Sequence, residues 1–422
     1  MPQVWFGQAL LGQSGLIVPK YIDGPVCLVA DQHTAAIAHR VAEALVGSEP
    51  TVFVHPGRLR ATEAAVRQVQ KVADSSVGLV SVGSGCITDV ARLAAFRLAK
   101  PLVAVATAAS MDGYLSGHSP IIVNGYKLTQ SAEPPEAVVA DLQVLAAAPP
   151  RLTRAGFGDV IGKITALADW RLGHAMTDEY WCPALSEMVN VAVERCRQRA
   201  GQGIRELSCA VEDIMGALLI TGQAMVYAEN SRPASGGEHH ISHYWEMQAL
   251  ARGEEGCLHG EYVAVGTVLL AAVYRAVLER ECLAPSAEVW QRRIDRLSDR
   301  QIRRSRLEAG YGEAAGKVET QTQDKDAKNL GALSHQEAEA RWSRVRGALA
   351  EAIPEPEQLV ELLRAHGLAA TPRELGITAE DTEKALLYAR ELRNRFGILD
   401  LAAAAGGLES LAHTIARDSL QW

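Results

Sequence analysis

Four of the chain's twelve histidines fall between residues 239 and 259, in SRPASGGEHHISHYWEMQ and GCLHGEYVAVGT. His239 and His243 are four apart, so on a helix both imidazoles leave one face and can approach a common cation, while His259 follows sixteen residues later. Metal centres that do chemistry usually hold three nitrogen or oxygen ligands and keep a position open for substrate. A carboxylate to complete such a set stands in GFGDVIGKITALADW, where Asp159 precedes Lys163 by four residues. Spacing alone also permits surface histidines and an exposed helical ion pair. His240 points to another face and is read as structural.

A second group of residues suits a nucleotide. The run GLVSVGSGCITDVARLAAF carries a strand through Gly83, Ser84 and Gly85 straight into a helix. Glycines there let the backbone approach an anion, and free amides at the helix start neutralise it. The longer G-x-G-x-x-G fingerprint fails because Thr88 occupies its last position, and no acidic residue closes a later strand about twenty residues on. Asp31 closes the first strand candidate instead, placed either to hold a ribose hydroxyl or to cap the following helix. Asp89 and Arg92, three apart, read as a local ion pair. VATAASMDGYLSGHSP packs Thr107, Ser110, Asp112 and Ser116 into ten residues after the fourth strand candidate; a ligand-facing loop and a plain polar turn both fit.

These residues need a scaffold. Up to about residue 142, β-branched apolar runs (VCLVAD, TVFVHP, VGLVSVG, PLVAVAT) alternate with Ala-rich amphipathic stretches over 33–46, 61–74 and 87–99. That rhythm predicts an α/β domain with a parallel, Rossmann-like sheet. IIVNG and AVVADL, separated by a polar stretch with Gly125, predict a hairpin interruption before the last parallel strand. After Pro149 and Pro150 the apolar spacing becomes helical and β-branched runs nearly vanish. We therefore expect a nucleotide-binding domain over 1–148 and an all-helical domain over 149–422 that carries metal and substrate. Residues 312–337, polar and poor in large apolar side chains, predict an exposed loop or a loosely packed helix end.

Composition narrows the partners. The 422 residues are 48% hydrophobic and carry 42 Lys and Arg against 50 Asp and Glu, a formal charge of −8 without like-charged runs. Nucleic acid and anionic membranes are thus disfavoured, and a small molecule is expected. The seven cysteines are odd in number and form no C-x-x-C pair, which predicts reduced thiols in a cytoplasmic setting. The start of the sequence has no basic leader, and no segment reads as 18 or so uncharged apolar residues, so no membrane insertion is expected.

Taken in order, G-S-G-x-x-x-D, T-x-x-S-x-D-G, G-F-G-D-x-x-x-K, S-R-P-A-S-G-x-E-H-x-x-x-H and L-H-G resemble the glycerol-1-phosphate dehydrogenases, a branch of the iron-containing alcohol dehydrogenase and dehydroquinate synthase superfamily. The resemblance runs from about residue 16 to RNRFGILDLA near 400. It implies a dehydroquinate synthase-like fold, a homodimer or larger assembly, and NAD(P)H-linked, reversible reduction of dihydroxyacetone phosphate to sn-glycerol 1-phosphate in phospholipid metabolism. It also implies one divalent metal, zinc or nickel and less readily iron, on Asp159, His239 and His259, with His243 facing substrate. Cofactor contacts would fall on Asp31, on Gly83, Ser84, Gly85, Thr88 and Asp89, and on Thr107, Ser110 and Ser116. Asp112 would sit beside substrate and nicotinamide, with Asp112, Asp159 and His243 as catalytic and substrate-binding groups. Arg92 stands where many members have Lys. Metal and cofactor would meet between the domains, and Lys163, Lys127 and Arg232 are the available donors for the substrate phosphate. A dehydroquinate synthase-like lyase is disfavoured because its Glu and Lys are three apart where Asp159 and Lys163 are four apart. Two rival readings stay open: a polyol or glycerol dehydrogenase, and a nucleotide-binding protein without turnover.

Overall fold

The computed structural model describes residues 1–123, 126–201, 210–331 and 333–422. The chain divides into two compact units, Met1–Val160 with Glu194–Asn230 and Ile161–Val193 with Ser231–Trp422.

In the first unit six strands form one parallel sheet: β1 (Gln3–Gly7), β2 (Val26–Asp31), β3 (Thr51–His55), β4 (Gly78–Gly83), β5 (Leu102–Ala106) and β8 (Ala137–Asp141), in the order β1-β8-β5-β4-β2-β3. Every residue of β2, β4, β5 and β8 is buried, the pattern of strands covered on both faces. Alternation divides the side chains between two cores. Leu28, Val80, Val82, Val103, Val105 and Val139 pack on one face. Cys27, Val29 and Leu79 pack on the other with helices α2 (Glu63–Val72) and α3 (Gly85–Arg97). Helix α1 (Ala35–Ala44) covers the first face. The expected interruption is the antiparallel pair β6 (His118–Val123) and β7 (Tyr126–Ser131); Gly125 lies outside the described residues. Strand β1 has no counterpart in the sequence reading: QVWFG is short, half exposed and pairs with β8 across more than 130 residues of chain.

The long helix α4 (Pro150–Thr177) runs from the first unit into the second. Helix α5 (Val211–Ala228) groups with the sheet. The second unit is helical throughout its described residues and is built around α6 (Gly237–Ala251) and α7 (His259–Leu278).

One expectation is corrected here. Residues 312–330 are short helices rather than a loose loop, with Thr322, Lys325 and Leu330 fully buried and Asp326 only 2% exposed. Their polar composition misleads because the charges are spent inside the unit: Lys325 pairs with Asp400 at 2.9 Å, and Asp326 pairs with Arg390 and Arg306. Helix α7 is long and apolar enough by length and composition to cross a membrane, with mean hydropathy 1.6, but it carries Glu261 and Arg275 and no uncharged apolar run of 18. Its window is 78% buried inside the chain, so it is the central core helix of its unit.

Candidate metal and nucleotide site

Helices α4, α6 and α7 approach closely because glycine stands where they cross. A Cβ at Gly162 would lie 2.5 Å from Val263 Cγ1, and one at Gly266 would lie 2.7 Å from the Glu238 carbonyl oxygen. His239 and His243 leave α6 on one face, as their spacing requires, and His259 opens α7. The rings of His239 and His259 stand 5.1 Å apart, and those of His243 and His259 stack at 5.3 Å.

Carboxylates fix each ring. His239 Nδ1 bonds Glu238 Oε1 at 2.8 Å. Glu238 is itself fully buried, accepting from the Gly236 N–H at 2.7 Å and from Thr165 Oγ1 at 2.8 Å. Burial pushes the Glu238 carboxyl up, but His239 and these donors hold it below its ordinary value. Glu246 reaches two rings at once, its Oε1 bonding His259 Nδ1 and its Oε2 bonding His243 Nδ1, both at 3.0 Å. With Nδ1 so engaged, each imidazole presents Nε2, the arrangement that orients metal-ligating histidines.

Asp159 is fully buried on α4, and the Asp112 backbone N–H donates to its Oδ2 at 3.1 Å. One ligand atom each from Asp159, His239 and His259 lie within 4.8 Å of one another, a spacing that a single cation spans. One carboxylate and two imidazoles suit zinc, nickel and iron alike, so the donor set fits a divalent metal without choosing it. His243, Glu246 and His259 satisfy the same distance test, but there the shared Glu246 already binds both Nδ1 atoms.

On the sheet, β2, β4 and β5 are neighbours, so Asp31, the Gly83–Gly85 turn and Thr107 share the edge at the strands' carboxyl ends, where ligands of doubly wound sheets bind. The Thr107 N–H donates to the Gly83 carbonyl at 3.2 Å. Ser84 precedes α3 without a side-chain cap bond, Thr88 is fully buried in its first turn, and Asp89 pairs with Arg92 at 2.9 Å. Asp31 accepts N–H groups from His33, Thr34 and Leu59, so its carboxylate also ties its own turn together. Ser110 is buried, and Ser116 Oγ accepts the His118 N–H at 3.0 Å. Buried Arg92 donates to the carbonyls of His118, Gly113 and Tyr114, holding the 113–118 segment in place. Of the phosphate donors considered, Lys163 gives a hydrogen bond to the Ala234 carbonyl at 3.0 Å and Arg232 is engaged by Glu179; Lys127 lies on β7. Glu238, Glu246 and Asp169 escaped the sequence reading. Asp169 accepts from the Gly237 and Ile398 N–H groups and from Tyr274 Oη, and burial raises its carboxyl to about 6.

Residues 6–149 match the family model described as iron-containing alcohol dehydrogenase, in keeping with the parallel sheet and the helical second unit. A glycerol-1-phosphate dehydrogenase [NAD(P)+] of Geobacillus stearothermophilus is 32% identical over 396 residues, covering 89% of this chain and 85% of that protein. The corresponding Bacillus licheniformis protein is 35% identical over 60% of this chain, and there the match spans 64% of the relative's length. The chain belongs to the glycerol-1-phosphate dehydrogenase family. In fold it is similar to glycerol dehydrogenase from Schizosaccharomyces pombe (TM-score 0.63, 17% identity, covering 100% of this chain and 92% of that one). It is also similar to an NADH-dependent butanol dehydrogenase from Thermotoga maritima (TM-score 0.61, 14% identity, 97% and 96% covered).

Proposed function

We propose that this chain is an oxidoreductase that reversibly reduces dihydroxyacetone phosphate to sn-glycerol 1-phosphate, with NAD(P) and one divalent metal ion as cofactors. The observation that carries the reading is the 4.8 Å grouping of Asp159, His239 and His259, in a chain whose relatives are named for this reaction. When bound, the metal supplies Lewis acidity at the substrate oxygen and the nicotinamide supplies or accepts the hydride.

The chain's own groups do the rest. The Asp112 N–H and Glu238 hold Asp159 and His239 in ligating orientation. His243, anchored through Nδ1 to Glu246, is the group that would hold or pass the proton that the new alkoxide takes up. The Gly83–Gly85 turn and the buried hydroxyls of Thr107 and Ser110 suit the cofactor's phosphates and ribose. Zinc or nickel fits the imidazole-rich set better than magnesium, whose preferred ligands are oxygens. The family resemblance adds self-association, and the free thiols of the six described cysteines suit a reducing cytoplasm.

Loss of nicotinamide absorbance with dihydroxyacetone phosphate, suppressed by a chelator and restored by zinc or nickel, is the expected result. Oxidation that proceeds equally well with unphosphorylated dihydroxyacetone would instead make the chain a polyol dehydrogenase. No metal-dependent oxidation with either ketone would end the reading.

A further inference from the structure

Away from the metal ligands, the second unit gathers cations whose charges are mostly matched. Arg390 pairs with Asp326, Glu391 and Asp400, Lys325 with Asp400, and Arg232 with Glu179. Arg395 differs. Its Nη2 donates to Ser231 Oγ at 2.9 Å, its Nη1 is buried without a hydrogen-bond partner, and it makes no ion pair among the described residues. Burial, with Arg232 and Arg393, lowers its guanidinium to about 9, against a weaker pull from Glu179.

His240 shares this surplus. It is 6% exposed and its Nε2 is buried with no partner. The positively charged groups that act on it are Lys325, Arg395, Arg393 and Arg232. A buried polar atom left unsatisfied is destabilising, and here two lie among positive charges. An anion with several acceptor oxygens would satisfy both. The place is close to the reaction centre in the chain: His240 follows His239, and the loop that begins at Ser231 is held at its Ala234 carbonyl by Lys163.

We propose that Arg395, His240 and Ser231 form a seat for a phosphate monoester dianion, the phosphoryl end of the substrate. The guanidinium fork and the imidazole Nε2–H would donate to phosphate oxygens, and the Ser231 hydroxyl, while accepting from Arg395, has its own proton to give. The assignment rests on the reading of the chain as acting on a phosphorylated ketone.

Two measurements on the full-length chain test it. In phosphate-free buffer, inorganic phosphate should raise the melting temperature of the parent, and the rise should vanish in Arg395→Gln and shrink in Ser231→Ala. In turnover, both variants should raise KM for dihydroxyacetone phosphate while kcat stays close to the parent's. For Arg395→Gln the preference over dihydroxyacetone should fall about 10- to 100-fold. Arg395→Lys, which keeps charge without the fork, should recover part of this and serves if the Gln variant does not fold. Phosphate stabilisation that persists in these variants, or a KM kept within about twofold, overturns the seat while leaving the reaction intact. A parent that binds phosphate through Arg395 yet reduces no dihydroxyacetone phosphate overturns the reaction and leaves the seat standing.

Discussion

Glu246 carries two rings on one carboxylate, one oxygen to each Nδ1, and that division fixes what its replacement does. In Glu246→Gln a single carbonyl oxygen remains, so one imidazole loses its acceptor and faces an NH₂ group instead. Metal affinity, read by competition with a chromophoric chelator, should fall about 10- to 100-fold while the fold survives. An unchanged affinity would show that the rings need no such support. Asp159→Asn should cost more, because a neutral amide would replace the one anionic member of the proposed ligand set; near-complete loss of bound metal on dialysis is expected, measured by elemental analysis. At this scale the sequence was half legible. The i, i+4 histidines announce themselves, and family resemblance picks Asp159 from among many carboxylates. Glu238 and Glu246 do not stand out, since a carboxylate one or three residues from a helical histidine has the same spacing in any surface ion pair. Asp31 shows the opposite difficulty, because the same position serves a turn and a ribose, and its bonds to His33, Thr34 and Leu59 now account for the turn.

Elements meet through glycine. A Cβ at Gly156 would fall 1.9 Å from the Ala109 carbonyl oxygen, on the segment that leads to Asp112. Gly156→Ala should therefore push the start of α4 off that loop, lowering the melting temperature by several degrees and weakening the Asp112 bond to Asp159. Gly316, in the short helix Ala315–Gln321, meets nothing within 4 Å, so Gly316→Ala should raise stability by about 0.5–1 kcal/mol. Differential scanning calorimetry on the pair checks both signs, and equal effects would mean that helix propensity outweighs the clash. The buried strands were readable at this scale because a parallel sheet imposes unbroken β-branched runs. Strand β1 was not, since half of its pattern is exposed. Residues 312–330 were misjudged because charge normally signals solvent, whereas Lys325 and Asp326 find their counter-ions inside.

Across the whole molecule, stability should depend on pH through that buried network. Burial pushes the Glu391 carboxyl up, but Arg390, Arg306, Lys325 and Arg303 together pull it down to about 2. A depressed carboxyl stabilises the fold above its ordinary value of 4.5, and the contribution drains away as pH falls from there toward 2. Glu391→Gln leaves its arginines without a buried anion and should cost about 3 kcal/mol at neutral pH. In urea titrations the gap between parent and variant should narrow below pH 4.5; a gap that stays constant would remove Glu391 from the acid response.

Strand β1 also sets a schedule. Its partner β8 ends at Asp141, whose Oδ2 accepts the Leu11 N–H at 2.8 Å, so the strand pairing and this bond wait until some 130 more residues have left the ribosome. At ordinary elongation rates that is a wait on the order of ten seconds. During it the backbone edge of Gln3–Gly7 has no strand to pair with, although Trp5 already meets Tyr21 and Lys20 nearby in the chain, so a strand made early is seated late.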